Sequence, residues 1–229
     1  MERREFLKRA AIAGAGTAGM ALTSGFRFSS HREHRHHHHH HRHHHRHRDR
    51  HPGAAPPPLG QGSALGAYVN PHGRPMPEAI AAFEDKIGRR LDITRHYTHW
   101  DMPLPGRTIE WSASGGRIPL VAWASDKLGG RYVKWHSIAR GDEDAWIRRQ
   151  AQSVATSGIA MYLCFHHEPE DEPVAGGPAD FRGAFGRVKG IFDEVGTPNV
   201  TWLVTLMAST YAGGHGGPEA WMPPSYDLV

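Results

Sequence analysis

Residues 63 to 229 predict a parallel α/β fold, and three observations carry that reading. Strand-like apolar runs alternate with amphipathic, helix-like stretches along the whole region. One run, Ala160 to Phe165, is apolar at every position, as strands are when both faces are covered. Several runs break off into aromatic and polar residues, as strands do at the carboxyl ends where βα architectures assemble their sites.

The elements follow in chain order. Leu65 to Asn70 (L-G-A-Y-V-N) reads as a first strand, and Pro77 to Arg89 as a helix with Ile80, Phe83 and Ile87 on one face and proline at its start. Leu91 to Trp100 is a second strand whose end, H-Y-T-H-W-D, carries His96, His99, Trp100 and Asp101. Ile118 to Ser125 is a third, turning polar after Trp123. Asp142 to Ser157 sets Trp146, Ile147, Ala151 and Val154 at helical spacing, with Asp142 as the N-cap. The fourth strand, Ala160 to Phe165, follows Gly158. Pro178 to Val195 is the clearest helix, striped by Phe181, Ala184, Phe185, Val188, Ile191, Phe192 and Val195 and stopped by Gly196. Val200 to Met207 is a fifth strand.

The fourth strand runs directly into His166, His167 and Glu168, which makes Glu168 the first candidate for a functional residue. Glu170, Asp171 and Glu172 are expected to form a solvated turn. A solvated turn is also the competing reading of His167 and Glu168. Metal ligation by the two histidines and a carboxylate is a further one, although adjacent residues on a strand point to opposite faces. In a barrel, the strand ends bearing His99, Trp100, Asp101, Trp123, His167 and Glu168 converge on one mouth. Indoles beside a carboxyl group suit sugars, whose C–H faces stack on rings while their hydroxyls need polar partners. Trp100 and Trp123 are candidate platforms, with core filling as the alternative; Trp146 and Trp202 are expected in the core.

The amino terminus is a different material. Residues 1 to 51 hold eleven Lys and Arg against four acids, a local +7 that leaves −3 on the rest of a chain whose formal charge is +4. The basic character therefore belongs to the leader, and no nucleic-acid partner is inferred for the globular part. Residues 1 to 25 have a charged start, an apolar middle from Ala10 to Leu22 and small residues after it, the grammar of an export signal. Arg3-Arg4-Glu5-Phe6-Leu7-Lys8 resembles the twin-arginine motif, which implies the Tat export machinery as a partner and an extracytoplasmic or secreted location. The single cysteine, Cys164, offers neither a lipid attachment site near the start nor an internal disulfide. His31 to His51 carries thirteen of the 20 histidines, and its composition predicts disorder with loose binding of transition metals; a spacer without function is the other reading. Pro52 to Gly62 reads as a Pro/Gly linker, so residues 26 to 62 separate the signal from a domain beginning near Ser63.

Four motifs, Gly116 to Trp123 (G-R-I-P-L-V-A-W), Ile138 to Asp144 (I-A-R-G-D-E-D), Phe165 to Glu168 (F-H-H-E) and Gly196 to Trp202 (G-T-P-N-V-T-W), occur in an order that resembles glycoside hydrolase family 26, which includes endo-β-1,4-mannanases. The resemblance implies a (β/α)8 barrel without a cofactor and a polysaccharide substrate. It also implies a retaining mechanism with Glu168 as acid/base, His167 shaping the sugar site, and a second Glu after the seventh strand as nucleophile. Three departures stand out: Cys164 where well-studied mannanases carry Arg, Glu170 where Asn is common, and Ala124-Ser125 where Glu-Pro is common. A full barrel takes about 250 residues, whereas Ser63 to Val229 offers about five strands and the start of a sixth. On the resemblance the chain is expected to be a fragment, inactive because the nucleophile lies beyond Val229. A non-catalytic carbohydrate-binding barrel and a metal-binding secreted protein run by the His tract are the rival functions.

The tract yields the first prediction. Titration calorimetry with Zn²⁺ at neutral pH should show heat that a chain lacking residues 31 to 51 does not give, and the binding should fade as pH drops through about 6.5, because neutral imidazole is the ligand. Equal heats from the two proteins refute it.

Overall fold

The computed structural model describes residues 63–229; the expected export signal, His/Arg tract and linker lie outside the described residues. Five parallel strands, β1 (Gly66–Ala67), β2 (Ile93–Thr98), β3 (Ile118–Trp123), β4 (Met161–Phe165) and β5 (Val200–Trp202), form one sheet in consecutive order. Each crossover carries helix: α1 (Met76–Ile87), α2 (Arg107–Ser114), α3 (Trp135–Arg140), α4 (Asp144–Ser157) and α5 (Pro178–Val195), with α6 (Ala208–Tyr211) and α7 (Pro218–Trp221) after β5. The expected parallel α/β fold is thus present. Consecutive order without reversal is the winding of a βα barrel; a doubly wound sheet reverses at a switch point.

Register decides which side chains meet the helices. His96, Val121, Leu163 and Trp202 lie opposite one another across β2 to β5, and all four are buried. One position along, Tyr97, Ala122 and Cys164 form the next rung on the other face. The helix-facing side joins Ile147, Ala151 and Val154 of α4 and Phe181, Phe185, Val188 and Phe192 of α5 into one core. Its centre is aromatic, with Trp202 meeting Phe192 at 5.2 Å and Phe185 at 5.6 Å, edge to face. Helix α5 matches its expected bounds, because its apolar stripe faces this core and Gly196 takes a left-handed φ of 81° at its end.

Other elements differ from expectation for identifiable reasons. Asp142 does not cap α4: Gly141, at φ 97°, turns the chain straight from α3 into α4, and Asp142 instead accepts from Arg140 at 2.8 Å. Helices α2 and α3, eight and six residues long, are too short for periodicity to reveal. Only two residues of the expected first strand pair. The β4–β5 ladder ends at the pair Leu163 and Trp202. Leu203 N–H donates to Leu163 O at 2.9 Å, and Leu203 also bridges in parallel to Leu228, on the side where a next consecutive strand would stand.

His96 supplies a pH prediction. It is buried beside Thr94, whose hydroxyl lies 3.0 Å from Nε2, and burial pushes its pKa down to about 4. A lowered folded pKa means stability present above the unfolded value near 6.5 and lost as pH falls through 4. Between pH 7 and 4 the protein should lose about 3 kcal/mol through this group. Urea unfolding of wild type and His96→Gln at both pH values measures it; the variant should lack that part of the acid slope.

Candidate active site

The end of β4 is bent by two residues in the left-handed region, His166 at φ 50° and Glu168 at φ 51°. For residues other than glycine this conformation costs on the order of 1–3 kcal/mol each, and it persists only where neighbours hold it. The neighbours here are β3 on one side and the segment after β5 on the other: His166 N–H donates to Trp123 O at 2.9 Å, and Glu168 N–H to Thr205 O at 2.8 Å. The His166 ring is fixed from below. Its Nδ1 accepts from the Ser125 N–H at 3.1 Å and from the Ser125 hydroxyl at 3.2 Å, while that hydroxyl accepts from Trp135 Nε1–H at 3.1 Å. A backbone N–H can only donate, so Nδ1 is unprotonated and the ring's proton sits on Nε2.

The bend separates the two histidines. His166 points into the core, whereas His167 lies beside the carboxyl of Glu168, Nε2 to Oε2 3.4 Å. His167 meets the edge of Tyr97 at 5.2 Å, and Tyr97 meets Tyr68 at 5.1 Å. Tyr68 is 36% and Tyr97 48% exposed, so both rings offer a face to solvent. Carboxyl, imidazole and two phenol rings thus form one row along the carboxyl ends of the strands. Among the described residues no group of three His, Cys, Asp or Glu side chains could hold a metal ion.

Trp100 and Trp123 do not belong to that row. They are 1% and 0% exposed, stack on each other at 4.4 Å and fill the core above Phe165. Trp123 has the helix-facing parity of Val121, and the Trp100 indole N–H is bound to Glu143 at 3.2 Å, so neither presents a sugar platform. The exposed aromatics of that row are Tyr68 and Tyr97, and the signal for Tyr97 was the strand alternation in R-H-Y-T, which puts it on the face opposite His96. His99 is tied to Asp126, Nδ1 to Oδ2 2.9 Å; that hydrogen bond raises its pKa, burial opposes it, and the charges of Asp126 and Asp101 add to it.

Glu170 is not part of a solvated turn. It is 7% exposed within the 3-10 turn Pro169–Asp171, and its Oε1 accepts from Met207 N–H at 3.0 Å and the Thr210 hydroxyl at 2.6 Å. Glu172, only partly exposed, accepts from the Tyr132 hydroxyl at 2.6 Å; Asp171 alone of the three is exposed. Cys164 is fully buried and its thiol is pushed up to about 11 by that burial, so it is not a nucleophile at neutral pH. The guanidinium of Arg95, arriving from β2, acts on Cys164 in the opposite sense.

The geometry defines a class: a parallel α/β protein with a carboxyl group, an imidazole and exposed phenol rings at its strand ends. Compared with known proteins, the chain is 26% identical over 164 residues to endoglucanase H of Acetivibrio thermocellus, a match covering 67% of this chain and 17% of that protein. The crystal structure of a Podospora anserina GH26-CBM35 β-(1,4)-mannanase aligns at a TM-score of 0.46 and 12% identity, over 67% of this chain and 43% of that one. Both carry names of glycoside hydrolases, and in both the chain spans less than half the length of the other protein. No protein-family model matches the chain.

The Glu170 clamp is testable. Glu170→Ala leaves two donors without their acceptor, the Met207 N–H and the Thr210 hydroxyl, and should destabilise the protein by about 1–3 kcal/mol. Hydrogen exchange at Met207 should accelerate with it. Unchanged exchange there contradicts the clamp.

Proposed function

We propose that this protein is a glycoside hydrolase acting on β-linked polysaccharide, of mannan type, by a retaining mechanism in which Glu168 is the acid/base. One observation carries the reading: Glu168 sits at the carboxyl end of β4 on a bend held from both sides, its carboxyl beside His167 and next in line to two exposed tyrosine rings. The protonated carboxyl donates to the leaving glycosidic oxygen, and the carboxylate then takes a proton from the water that attacks the glycosyl-enzyme. His167 holds the carboxyl, and the ring of Tyr97 supplies an apolar face for the sugar. A retaining mechanism also needs a second carboxyl about 5–5.5 Å away, a role assigned to none of the described residues. The likeness to an endoglucanase supports the general class. We further propose, from the Arg3-Arg4 motif, that the chain reaches its substrate by twin-arginine export, and that residues 63 to 229 form the sugar-processing domain.

In a protein that also supplies the second carboxyl, Glu168→Gln should lower kcat on β-mannan by roughly 10²–10⁴-fold, with the melting temperature unchanged because the side chain is partly exposed. Aryl glycosides with activated leaving groups need less protonation and should lose less in the glycosylation step. Reducing-end release by wild type and variant decides it, and undiminished release by the variant removes Glu168 from the mechanism. A protein that supplies both carboxyls and binds mannan oligosaccharides without releasing reducing ends is instead a non-catalytic carbohydrate-binding protein.

A further inference from the structure

Arg95 stands on β2 two residues before Tyr97, on the same face of the sheet. Its guanidinium lies 5.1 Å over the Tyr97 ring, the ring that meets His167 beside Glu168. The rung of Tyr97 continues with the small side chains of Ala122 and then Cys164. The charge of Arg95 is felt at Cys164, two strands away, and so is that of Glu168. Arg95 and Glu168 thus border the same small stretch of the sheet's face.

The guanidinium has an edge that the rest of the fold does not use. Arg95 Nε and Nη2 are buried, and among the described residues neither has a hydrogen-bond partner. These two N–H groups point the same way from the planar group, at the spacing of the two oxygens of a carboxylate. The chain uses this very edge twice elsewhere. Arg117 Nε and Nη2 hold the two oxygens of Glu84 at 2.8 and 2.5 Å, and Arg187 holds those of Asp144 with the same pair of atoms. Both acceptors are carboxylates. A buried donor edge without an acceptor is costly, so an acceptor that arrives with a ligand is favoured twice: by the charge-assisted bonds it makes and by the penalty it removes.

We propose that the Nε–Nη2 edge of Arg95 is a carboxylate-binding site beside Glu168, and that the mannan-type polysaccharide this protein acts on carries uronic acid units, whose carboxylate docks there. This rests on the reading of Glu168 as the glycosidic acid/base and names the substrate class for that site. A neutral sugar hydroxyl satisfies one N–H at a time and brings no charge, whereas a carboxylate satisfies both. Tyr97, half exposed above the guanidinium, swings aside to admit the carboxylate and packs on the pyranose that carries it.

The test reads the arginine Nε–H signals by NMR in the full 229-residue chain during titration with sodium D-glucuronate, D-glucose or sodium sulfate. The Arg95 signal, assigned as the one missing from Arg95→Lys, should shift with glucuronate, and with glucose not at all at the same concentration. Arg95→Lys keeps the charge and loses the fork, so its affinity for glucuronate, followed on the Tyr97 ring signals, should fall about tenfold or more. No glucuronate shift, an equal shift with glucose or sulfate, or unchanged affinity in Arg95→Lys overturns the proposal. Loss of the Glu168 reading looks different: Glu168→Gln would hydrolyse glycans undiminished while the glucuronate shift at Arg95 stayed in place.

Discussion

The bend at the end of β4 depends on hydrogen bonds to β3 and to the segment after β5, and most of the strand-end geometry depends on that bend. Trp123 O takes the amide of His166 and Thr205 O takes that of Glu168, so two left-handed residues are stitched into the sheet where it ends. The Ser125 contacts and Trp135 fix the His166 ring below, and Glu170 fixes the following turn to the segment after β5. Local backbone strain is spent on aiming one carboxyl outward, and the cost is spread over three strands and a helix. A strand that continued straight would alternate its side chains and send Glu168 and His167 to opposite faces.

Much of the fold was legible in the sequence because it rests on local patterns. The stripe of α5 and the apolar run of β4 stand within one residue of where periodicity puts them. Short elements were not legible. Six residues of α3 contain fewer than two turns, and β5 is only three residues long, followed by backbone that bonds to the segment around Leu228. Such choices are made by tertiary partners and leave no periodic trace.

At the site, legibility followed strand parity. Glu168 and His167 could be singled out from their place after a buried run. Trp100 and Trp123 were candidate platforms because indoles beside a carboxyl group suit sugars, yet the register puts Trp123 in line with Val121, against the helices. Tyr97, one residue off that line, is on the open face with Arg95. Glu170 was misread for a related reason: a carboxylate in an acidic run looks solvated until the donors that seek it, Met207 and Thr210, are brought back from nearly forty residues away.

The consecutive strand order also bears on how the sheet is made. Each strand pairs with the one that precedes it in the chain. No strand among these five waits for a partner synthesised much later, so the sheet can grow by addition at one edge in the order the ribosome delivers it. The bend that aims Glu168 is the exception, since its amide bond to Thr205 forms only after β5 has emerged. The five-stranded scaffold can therefore precede the placing of this carboxyl in time, which waits for the segment after β5.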